Sequence, residues 1–349
     1  MSEKKPLTQL STLGEFGLIR HLTKDIKLNN PSTIKGVGDD AAVLDYKDKK
    51  VLVSTDMLIE GVHFDLTYTP LKHLGYKSVA TNASDIFAMN GTPRQITVSL
   101  ALSNRFSLEA VEELYAGIYL ACEHYGIDLV GGDTTSSKTG MCISITVIGE
   151  AEENDIVYRN TAKENDLICV SGDLGAAYMG LQLLEREKTV YNGNPEAQPD
   201  FTGYEYILER QLKPEARGDI IRLLKEKNIR PTAMMDISDG LSSEILHICH
   251  DSGVGCRIYE EKIPIDYQTY KMAEELNMNA TVCALSGGED YELLFTVPLK
   301  YLDTLTTLED ISIIGHTCKT EEGYTLVTRD GNEFELKAQG WTNFNTTEK

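Results

Sequence analysis

The sequence has few basic residues, no Cys-x-x-Cys pair and no long apolar run. No apolar stretch approaches the ~18 residues that a membrane-spanning helix requires, so we expect no membrane segment. No apolar core follows Met1–Pro6, so secretion is not expected. The seven cysteines are scattered and odd in number, which favours reduced thiols in a cytoplasm over a disulfide framework.

Lysine and arginine number 33 and aspartate and glutamate 54, which gives a net charge of −21. This acidic balance argues against a nucleic-acid or anionic membrane partner, since both require a basic face. It permits an anionic substrate, because bound metal ions invert the local field. Hydrophobic residues make up 41% of the 349-residue chain, enough for a sizeable core in about two domains.

Three common nucleotide-binding signatures are absent. The sequence has no Gly-x-x-x-x-Gly-Lys-[Ser/Thr] P-loop and no His-Arg-Asp loop of protein kinases. The segment Gly36–Ala41 lacks the third glycine of a dinucleotide fingerprint. The chain is therefore not a P-loop enzyme, a protein kinase or a dinucleotide-binding domain of the usual kind.

Helical and strand patterns alternate along the chain, which predicts an α/β or α+β fold. A polar stretch near 152–166 predicts a domain boundary, which divides the chain into 13–150 and 151–345.

Several elements can be predicted individually. We predict a compact buried strand over 51–55, a helix over 71–89 and a strand over 127–130 that breaks at the following glycines. In the second half we predict a helix over 176–185 and a loop over 188–203, which contains Asn-Gly-Asn-Pro.

Acidic residues recur beside glycines or after apolar strands. Aspartates brought together repel one another, and such a cluster persists only when cations compensate it. Oxygen ligands with few His or Cys residues nearby select Mg²⁺ or Ca²⁺, and Mg²⁺ shares its other positions with water and phosphate oxygens. Any one acid is more simply a solvated turn residue, but six positions together favour metal-dependent phosphate chemistry. The positions are Asp39-Asp40, Asp56, Asp85, Asp133, Asp236 with Asp239, and Glu289-Asp290.

Three further features each allow two interpretations. The glycines of Gly131–Thr135 could expose backbone N–H groups to phosphate, or simply form a tight turn. His63, beside Phe64, could contact a polar substrate, although a lone histidine there is more often structural. Trp341 could stack on a flat ring or pin the polar tail to the core.

Seven short motifs stand in the order and rough spacing of thiamine-monophosphate kinases, and the chain resembles that family from about Leu13 to Phe344. Ser-Gly-Gly-Glu-Asp-Tyr-Glu together with Val-Gly-Gly-Asp-Thr-Thr is a specific combination. The wider superfamily includes aminoimidazole ribonucleotide synthetase, selenophosphate synthetase and a hydrogenase-maturation dehydratase. The motifs are Gly38–Ala42, Ser54–Leu58, Gly61–Phe64, Asn82–Asp85, Gly131–Thr135, Asp236–Leu241 and Leu285–Glu292.

The resemblance implies a two-domain fold of the aminoimidazole ribonucleotide synthetase type. Its N-terminal α/β domain would bind ATP and Mg²⁺ and dimerise through its sheet, and its C-terminal domain would be α+β. The implied activity is phosphorylation of thiamine monophosphate to thiamine diphosphate by ATP and several Mg²⁺ ions, the last step of thiamine diphosphate biosynthesis. The implied setting is a cytoplasmic homodimer without nucleic-acid or membrane partners.

The resemblance also implies site residues in four groups. Asp40, Asp133 and Asp236 would act in catalysis. The nucleotide contacts would be Tyr115, Gly132, Asp133, Arg159 and Ser238. The contacts to thiamine monophosphate would be His63, Glu289 and Trp341. The metal shell would comprise Asp40, Ser54, Thr55, Asp56, Asp85, Asp133, Asp236 and Asp239.

Direct in-line transfer agrees with these residues. Transfer between two anions is limited by charge repulsion and by alignment. Metal ions that bridge the γ-phosphate and the acceptor phosphate would offset the repulsion and align the two groups. A phosphate monoester is already ionised near neutral pH, because its second pKa is ~6. It therefore needs no strong general base, which agrees with a site rich in aspartate. We also expect direct transfer, without a phosphoenzyme.

Other superfamily members and a non-catalytic binder are the alternatives. Selenophosphate synthetase normally has a reactive Cys or selenocysteine near its N-terminus, whereas the first cysteine here is Cys122. The hydrogenase-maturation protein ends in a modified cysteine, unlike this sequence. Aminoimidazole ribonucleotide synthetase is the closest competitor, but Gly61–Phe64 and Ser286–Glu292 favour the thiamine enzyme. A non-catalytic binder of Mg²⁺ or Ca²⁺ lacks an Asp-x-Asp-x-Asp-Gly loop to support it.

Overall fold

The computed structural model describes residues 18, 21–35, 37, 42–194, 196, 198–199 and 201–338. Two predicted site residues, Asp40 and Trp341, lie outside the described residues. The chain divides into two compact units: Met1–Phe87 with Gly91–Asp155, and Ala88–Asn90 with Ile156–Lys349.

A four-stranded sheet and two long helices make up most of what the structure describes of the first unit. Its described elements are β1 (Thr33–Lys35), β2 (Val43–Leu44), β3 (Lys50–Ile59), α1 (Leu71–Ala88), β4 (Thr92–Leu102), α2 (Leu108–Tyr125), β5 (Asp128–Ser136) and β6 (Cys142–Ala151). The sheet has the order β3-β6-β4-β5, in which β4 and β5 are parallel and the other neighbours antiparallel. β1 and β2 pair separately.

The two helices of this unit pack closely through glycines. An added Cβ at Gly117 of α2 would lie 1.9 Å from the carbonyl oxygen of Lys72 in α1, so only glycine permits this approach. α2 begins at Ser107, whose hydroxyl accepts the N–H of Ala110, and ends at Gly126 in the left-handed region. The helix predicted over 71–89 is confirmed.

A seven-stranded sheet organises the second unit, in the order β13-β12-β9-β11-β7-β10-β8. Its strands are β7 (Asp166–Ser171), β8 (Ala233–Asp236), β9 (Gly255–Tyr259), β10 (Leu293–Pro298), β11 (Ile311–Cys318), β12 (Tyr324–Val327) and β13 (Glu333–Glu335). Its helices are α3 (Ala176–Gly193), α4 (Glu205–Leu212), α5 (Gly218–Glu226), α6 (Leu241–Ser252), α7 (Tyr267–Glu275), α8 (Ala280–Ser286) and α9 (Leu302–Leu305). Short 3₁₀ turns occupy Glu260–Lys262, Leu299–Tyr301 and Thr320–Glu322.

Two apolar clusters fill the second unit. In one, Ile245 of α6 packs with strand residues such as Ile168 and Leu294. In the other, Leu183 of α3 packs with residues of α4, α7 and α8. The mixed α/β class predicted from the sequence is confirmed.

The strand predicted over 51–55 is wrong in both extent and burial. β3 runs through Ile59, so Asp56 lies within the strand rather than at its end. Leu52 and Leu58 are buried, whereas Val53 is 65% exposed. A pleated strand turns alternate side chains to opposite faces, and here one face is covered by helices while the other is open.

The break predicted at Gly131 is also wrong, and so is the tight turn considered for Gly131–Thr135. β5 continues through Gly131 and Gly132 to Ser136, paired with β4. The strands approach so closely that a Cβ at Gly132 would lie 2.0 Å from the carbonyl oxygen of Val98. The glycine therefore permits strand pairing here.

The loop predicted over 188–203 begins too early, because α3 continues to Gly193. Val190 and Tyr191 in this extension are exposed, so it has no apolar face that a periodicity could reveal. Its last turn ends where the N–H of Asn194 donates to the carbonyl of Val190 at 2.9 Å.

Candidate active site

Polar side chains meet where β3 faces α1. Ser54 and Asp56 lie on the covered face of β3, and Asp85 lies on α1. The hydroxyl of Ser54 donates to Asp85 Oδ2 at 2.5 Å, and the N–H of Asp56 donates to Asn82 Oδ1 at 3.1 Å. The structure thus brings together three of the residues predicted for the metal shell.

The two carboxylates of this cluster are both perturbed. Burial raises the pKa of Asp56 to about 6, and the charge of Asp85 adds to the rise. Burial also raises the pKa of Asp85, against the hydrogen bond from Ser54, which lowers it. Partly buried carboxylates side by side are a donor set that favours a divalent cation once both are ionised.

Thr55 and Asp133 lie on the other, open face of the sheet. Thr55 accepts a hydrogen bond from Thr146 Oγ1 at 3.1 Å there. The register aligns Asp133 with Ser99, and both are exposed. Because successive side chains alternate between faces, neither Thr55 nor Asp133 joins Asp56 within this unit.

Two other predicted contacts of this unit have well-defined surroundings. Tyr115 is buried in the core beside Tyr119, and burial raises the pKa of its hydroxyl to about 12. His63 follows β3, where its Nδ1 accepts the N–H of Ile59 at 3.1 Å. In the neutral ring this bond leaves the proton on Nε2.

In the second unit, the loop that follows β8 is bonded to the segment that precedes β10. Asp236 ends β8 and is buried. The carbonyl of Ile237 accepts the N–H of Tyr291 at 2.8 Å, and the carbonyl of Ser238 accepts the N–H of Glu289 at 2.7 Å. These bonds join two motifs that lie about fifty residues apart in the sequence.

The second of these segments holds an unusual backbone. Glu289 and Tyr291 have φ of 59° and 52°, a region that non-glycine residues rarely adopt. Gly288 before them has φ of 71°, and an added Cβ would lie 2.6 Å from the carbonyl oxygen of Ser238. Such conformations persist where surrounding contacts impose them, and they concentrate at functional sites.

A buried network of ion pairs and hydrogen bonds holds the acidic residues at the end of the same segment. Glu292 accepts Arg210 Nη1 at 2.9 Å, Arg217 Nη1 at 2.5 Å and the hydroxyl of Ser171 at 2.5 Å. Asp290 accepts the N–H of Gly175 at 2.8 Å at the start of α3. Burial raises the pKa of Asp290 to about 7, although the charge of Arg210 opposes the rise.

Glu244 is an acidic residue of this region that the sequence analysis did not single out. Its Oε1 accepts the N–H of Asp239 at 2.9 Å, and its buried Oε2 has no hydrogen-bond partner among the described residues. Burial raises its pKa to about 8, and the charges of Asp239 and Asp236 add to the rise. Burial raises the pKa of Asp239 as well, opposed by His247. The only available signal was the position of Glu244 in the first turn of a helix directly after Asp236–Gly240.

Arg159 lies at the surface of the second unit, where its Nε pairs with Asp251 Oδ2 at 3.2 Å. Among the described residues, no three His, Cys, Asp or Glu side chains lie close enough to hold a metal ion. The metal shell of the sequence analysis therefore stays a prediction, with Ser54, Asp56 and Asp85 as its assembled part.

The whole chain matches known proteins. Residues 38–151 match the N-terminal domain of AIR synthase related proteins, and residues 163–325 match their C-terminal domain. Thiamine-monophosphate kinase of Aquifex aeolicus is 36% identical, covering 96% of this chain and 100% of that protein. The Bacillus subtilis thiamine-monophosphate kinase is 33% identical, covering 95% and 100%.

A solved structure, AaThiL complexed with AMPPCP and TMP, has a TM-score of 0.74 and 35% identity, covering 97% of this chain and all of that chain. The fold of this chain is thus similar to the fold of that structure. This chain belongs to the thiamine-monophosphate kinase family of AIR synthase related proteins.

Proposed function

We propose that this protein catalyses the ATP-dependent phosphorylation of thiamine monophosphate to thiamine diphosphate. The observation that carries the choice of substrate is its identity to thiamine-monophosphate kinases over nearly the full length of both chains. The Asp56 and Asp85 carboxylates support the chemistry, since transfer between two anions requires cations.

We further propose that Mg²⁺ binds Asp56 and Asp85, with Ser54 oriented toward Asp85. The fit is supported by the oxygen donors and by the raised pKa of Asp56, which results first from burial and second from the charge of Asp85; a bound cation would offset both effects. When bound, Mg²⁺ would neutralise charge on the transferring phosphoryl group. Thr55 and Asp133 would contribute only from the open face of the sheet, and the other proposed Mg²⁺ ligands are Asp40, Asp236 and Asp239.

The chain's own residues would hold and align the two substrates. Tyr115, Gly132, Arg159 and Ser238 are the proposed nucleotide contacts, and His63, Glu289 and Trp341 the proposed contacts to thiamine monophosphate. Asp40, Asp133 and Asp236 are the residues that we expect to govern turnover. Because the acceptor phosphate is ionised at neutral pH, direct in-line transfer needs no side chain to remove a proton.

We propose a homodimer that forms through the open face of the N-terminal sheet. Val51, Val53, Met57 and Ile59 of β3 are all exposed on that face, and they form an apolar row along the edge strand that only Thr55 interrupts. Exposed apolar rows of this kind mark association surfaces. The proposed ATP-binding and dimerisation domain spans 13–150, and the C-terminal domain spans 151–345.

Placing a charge in the centre of this row is expected to separate the subunits. Val53→Lys would bury an unpaired ammonium at the interface, and dissociation should follow because a buried unpaired charge is strongly unfavourable. Sedimentation velocity should show the molecular mass fall from two chains to one, while Val190→Lys on the exposed end of α3 leaves it unchanged. A monomeric wild type, or a dimer that survives the substitution, contradicts this interface.

We place the reaction in the cytoplasm. Within the described residues no helix has the length and apolar character needed to cross a membrane. All seven cysteines are free thiols, which suits a reducing compartment.

The choice of acceptor is tested by ADP release from ATP and Mg²⁺ with one acceptor at a time. We expect release with thiamine monophosphate, and background release with formylglycinamidine ribonucleotide or with no acceptor. If ADP is released with formylglycinamidine ribonucleotide and not with thiamine monophosphate, the protein is instead an aminoimidazole ribonucleotide synthetase. Release without any acceptor would contradict a kinase of this type.

A further inference from the structure

Gln211 is a buried polar residue to which the proposed reaction assigns no role. It lies on α4, is 6% exposed, and its Nε2 donates to Glu289 Oε2 at 2.9 Å. Glu289 is the proposed contact to thiamine monophosphate, on the segment with the unusual backbone.

The Cβ atom of Gln211 is held in place by the close packing of α3 against α4. An added Cβ at Gly180 of α3 would lie 2.9 Å from Cβ of Gln211 and 2.1 Å from the carbonyl oxygen of Ile207. The two helices are therefore in backbone contact at this point, and the side chain of Gln211 starts from a rigid position.

The preceding residue of α4 holds the same segment by its backbone. Arg210 Nη2 donates to the carbonyl oxygen of Asp290 at 3.2 Å, and Arg210 Nη1 donates to Glu292. Consecutive residues of one helix thus divide two tasks. Arg210 fixes the chain of the segment, while Gln211 reaches the carboxylate of Glu289 itself.

We propose that Gln211 is a positioning residue for thiamine monophosphate, which acts by orienting the Glu289 carboxylate; this inference rests on the proposed function. Glu289 follows Gly287 and Gly288, and Tyr291 beyond it also has a positive φ, so the flexible side chain of Glu289 extends from an irregular backbone. A hydrogen bond to a charged acceptor from a fixed donor restricts the rotamers of that side chain. The loss of this bond should weaken binding of the substrate that Glu289 meets, and leave ATP binding intact.

The test is steady-state kinetics with each substrate varied in turn. Gln211→Leu keeps the shape of the side chain and removes the donor, and Gln211→Asn keeps the amide but shortens its reach. We expect both to raise KM for thiamine monophosphate by about tenfold, the usual scale for a hydrogen bond to a charged group, with KM for ATP unchanged. Glu209→Gln, on the exposed side of the same helix, is the matched control and should leave both constants unchanged.

A double substitution separates positioning from general destabilisation. Adding Gln211→Leu to Glu289→Gln should raise KM for thiamine monophosphate by less than Gln211→Leu does in the wild type, because the bond is already weakened in the single variant. A loss of stability alone would shift the melting temperature and act on both substrates equally. If Gln211→Leu fails to fold, Gln211→Asn gives the same comparison.

Each outcome distinguishes this inference from the proposed function. A wild-type KM for thiamine monophosphate in the Gln211 variants, or equal changes in both KM values, overturns the role of Gln211 alone. Additive effects of Gln211→Leu and Glu289→Gln also overturn it. A wild-type protein that does not convert thiamine monophosphate overturns the proposed function, and the role of Gln211 with it.

Discussion

Asp133→Asn is expected to lower turnover by about 100- to 1000-fold, the loss seen when one electrostatic contact to a reacting group is removed. The free energy of unfolding should change by less than about 0.5 kcal/mol, because Asp133 is exposed on the open face of β5. Initial rates of thiamine diphosphate formation and urea unfolding measure the two quantities.

The same strand supplies a matched control in Asp128. This buried carboxylate accepts hydrogen bonds from the N–H groups of Asn29 and Asn30, at 2.8 and 3.0 Å, and from the hydroxyl of Thr33 at 2.7 Å. An amide keeps only one acceptor oxygen, so Asp128→Asn should cost about 2 to 4 kcal/mol of stability by leaving buried donors unsatisfied.

Chemically identical substitutions five positions apart should therefore have opposite signatures. Asp128→Asn should retain turnover per folded molecule to within about tenfold, since its role is in folding. If Asp133→Asn keeps wild-type turnover, Asp133 does not govern the reaction. If both variants lose turnover and stability together, the strand has a purely structural role.

Asp56→Asn is expected to stabilise the protein in the absence of Mg²⁺ while removing most activity. The raised pKa of Asp56 means that ionising this carboxyl in the folded protein costs free energy. At pH 7 without Mg²⁺, the variant should be more stable by about 1 to 2 kcal/mol, or about 2 to 4 °C in melting temperature.

The pH dependence has a definite sign. The pKa of Asp56 rises from 3.8 to about 6 on folding, so between these values the folded protein holds a proton that the unfolded chain has lost. The stability contributed by this group is therefore present below pH 4 and is lost as pH rises towards 6. The gain from Asp56→Asn should vanish below pH 4 and reach its full size above pH 6.

Adding Mg²⁺ should reverse the order of the two proteins. A cation that binds the folded state alone raises the melting temperature of the wild type, and the variant lacks one of its ligands. Asp48→Asn, at an exposed turn, serves as the control and should follow the wild type. A variant less stable than the wild type at pH 7 without Mg²⁺ would assign Asp56 a structural role.

Local sequence pattern predicted much of the fold. It also singled out the two segments around Asp236 and Glu289, which belong to the candidate site. Asp236 does lie at the end of an apolar strand, and Glu289 does lie beside glycines, in the segment that precedes β10. Their hydrogen bonds, from Glu289 to Ser238 and from Tyr291 to Ile237, could not be predicted, because they depend on β8 and β10 pairing within the sheet.

The errors concern where elements end and which of their faces are buried. Val53 and Met57 satisfy a strand pattern as well as buried residues do, so composition alone did not reveal that their face is open. Gly131 and Gly132 indicate a turn to any local rule, yet β5 continues through both, and Gly132 allows it to approach β4 closely. Gln211 lies 78 residues from Glu289 and carries no motif, so only the packing of α4 reveals its contact.

The formation of thiamine diphosphate is the measurement that tests the central claim most directly. The purified protein is incubated with ATP, Mg²⁺ and thiamine monophosphate, and the product is oxidised to its fluorescent derivative and quantified after separation. The account predicts thiamine diphosphate that requires all three components, with no phosphorylated protein trapped during turnover. A folded protein that binds ATP with Mg²⁺ and forms no thiamine diphosphate would contradict it.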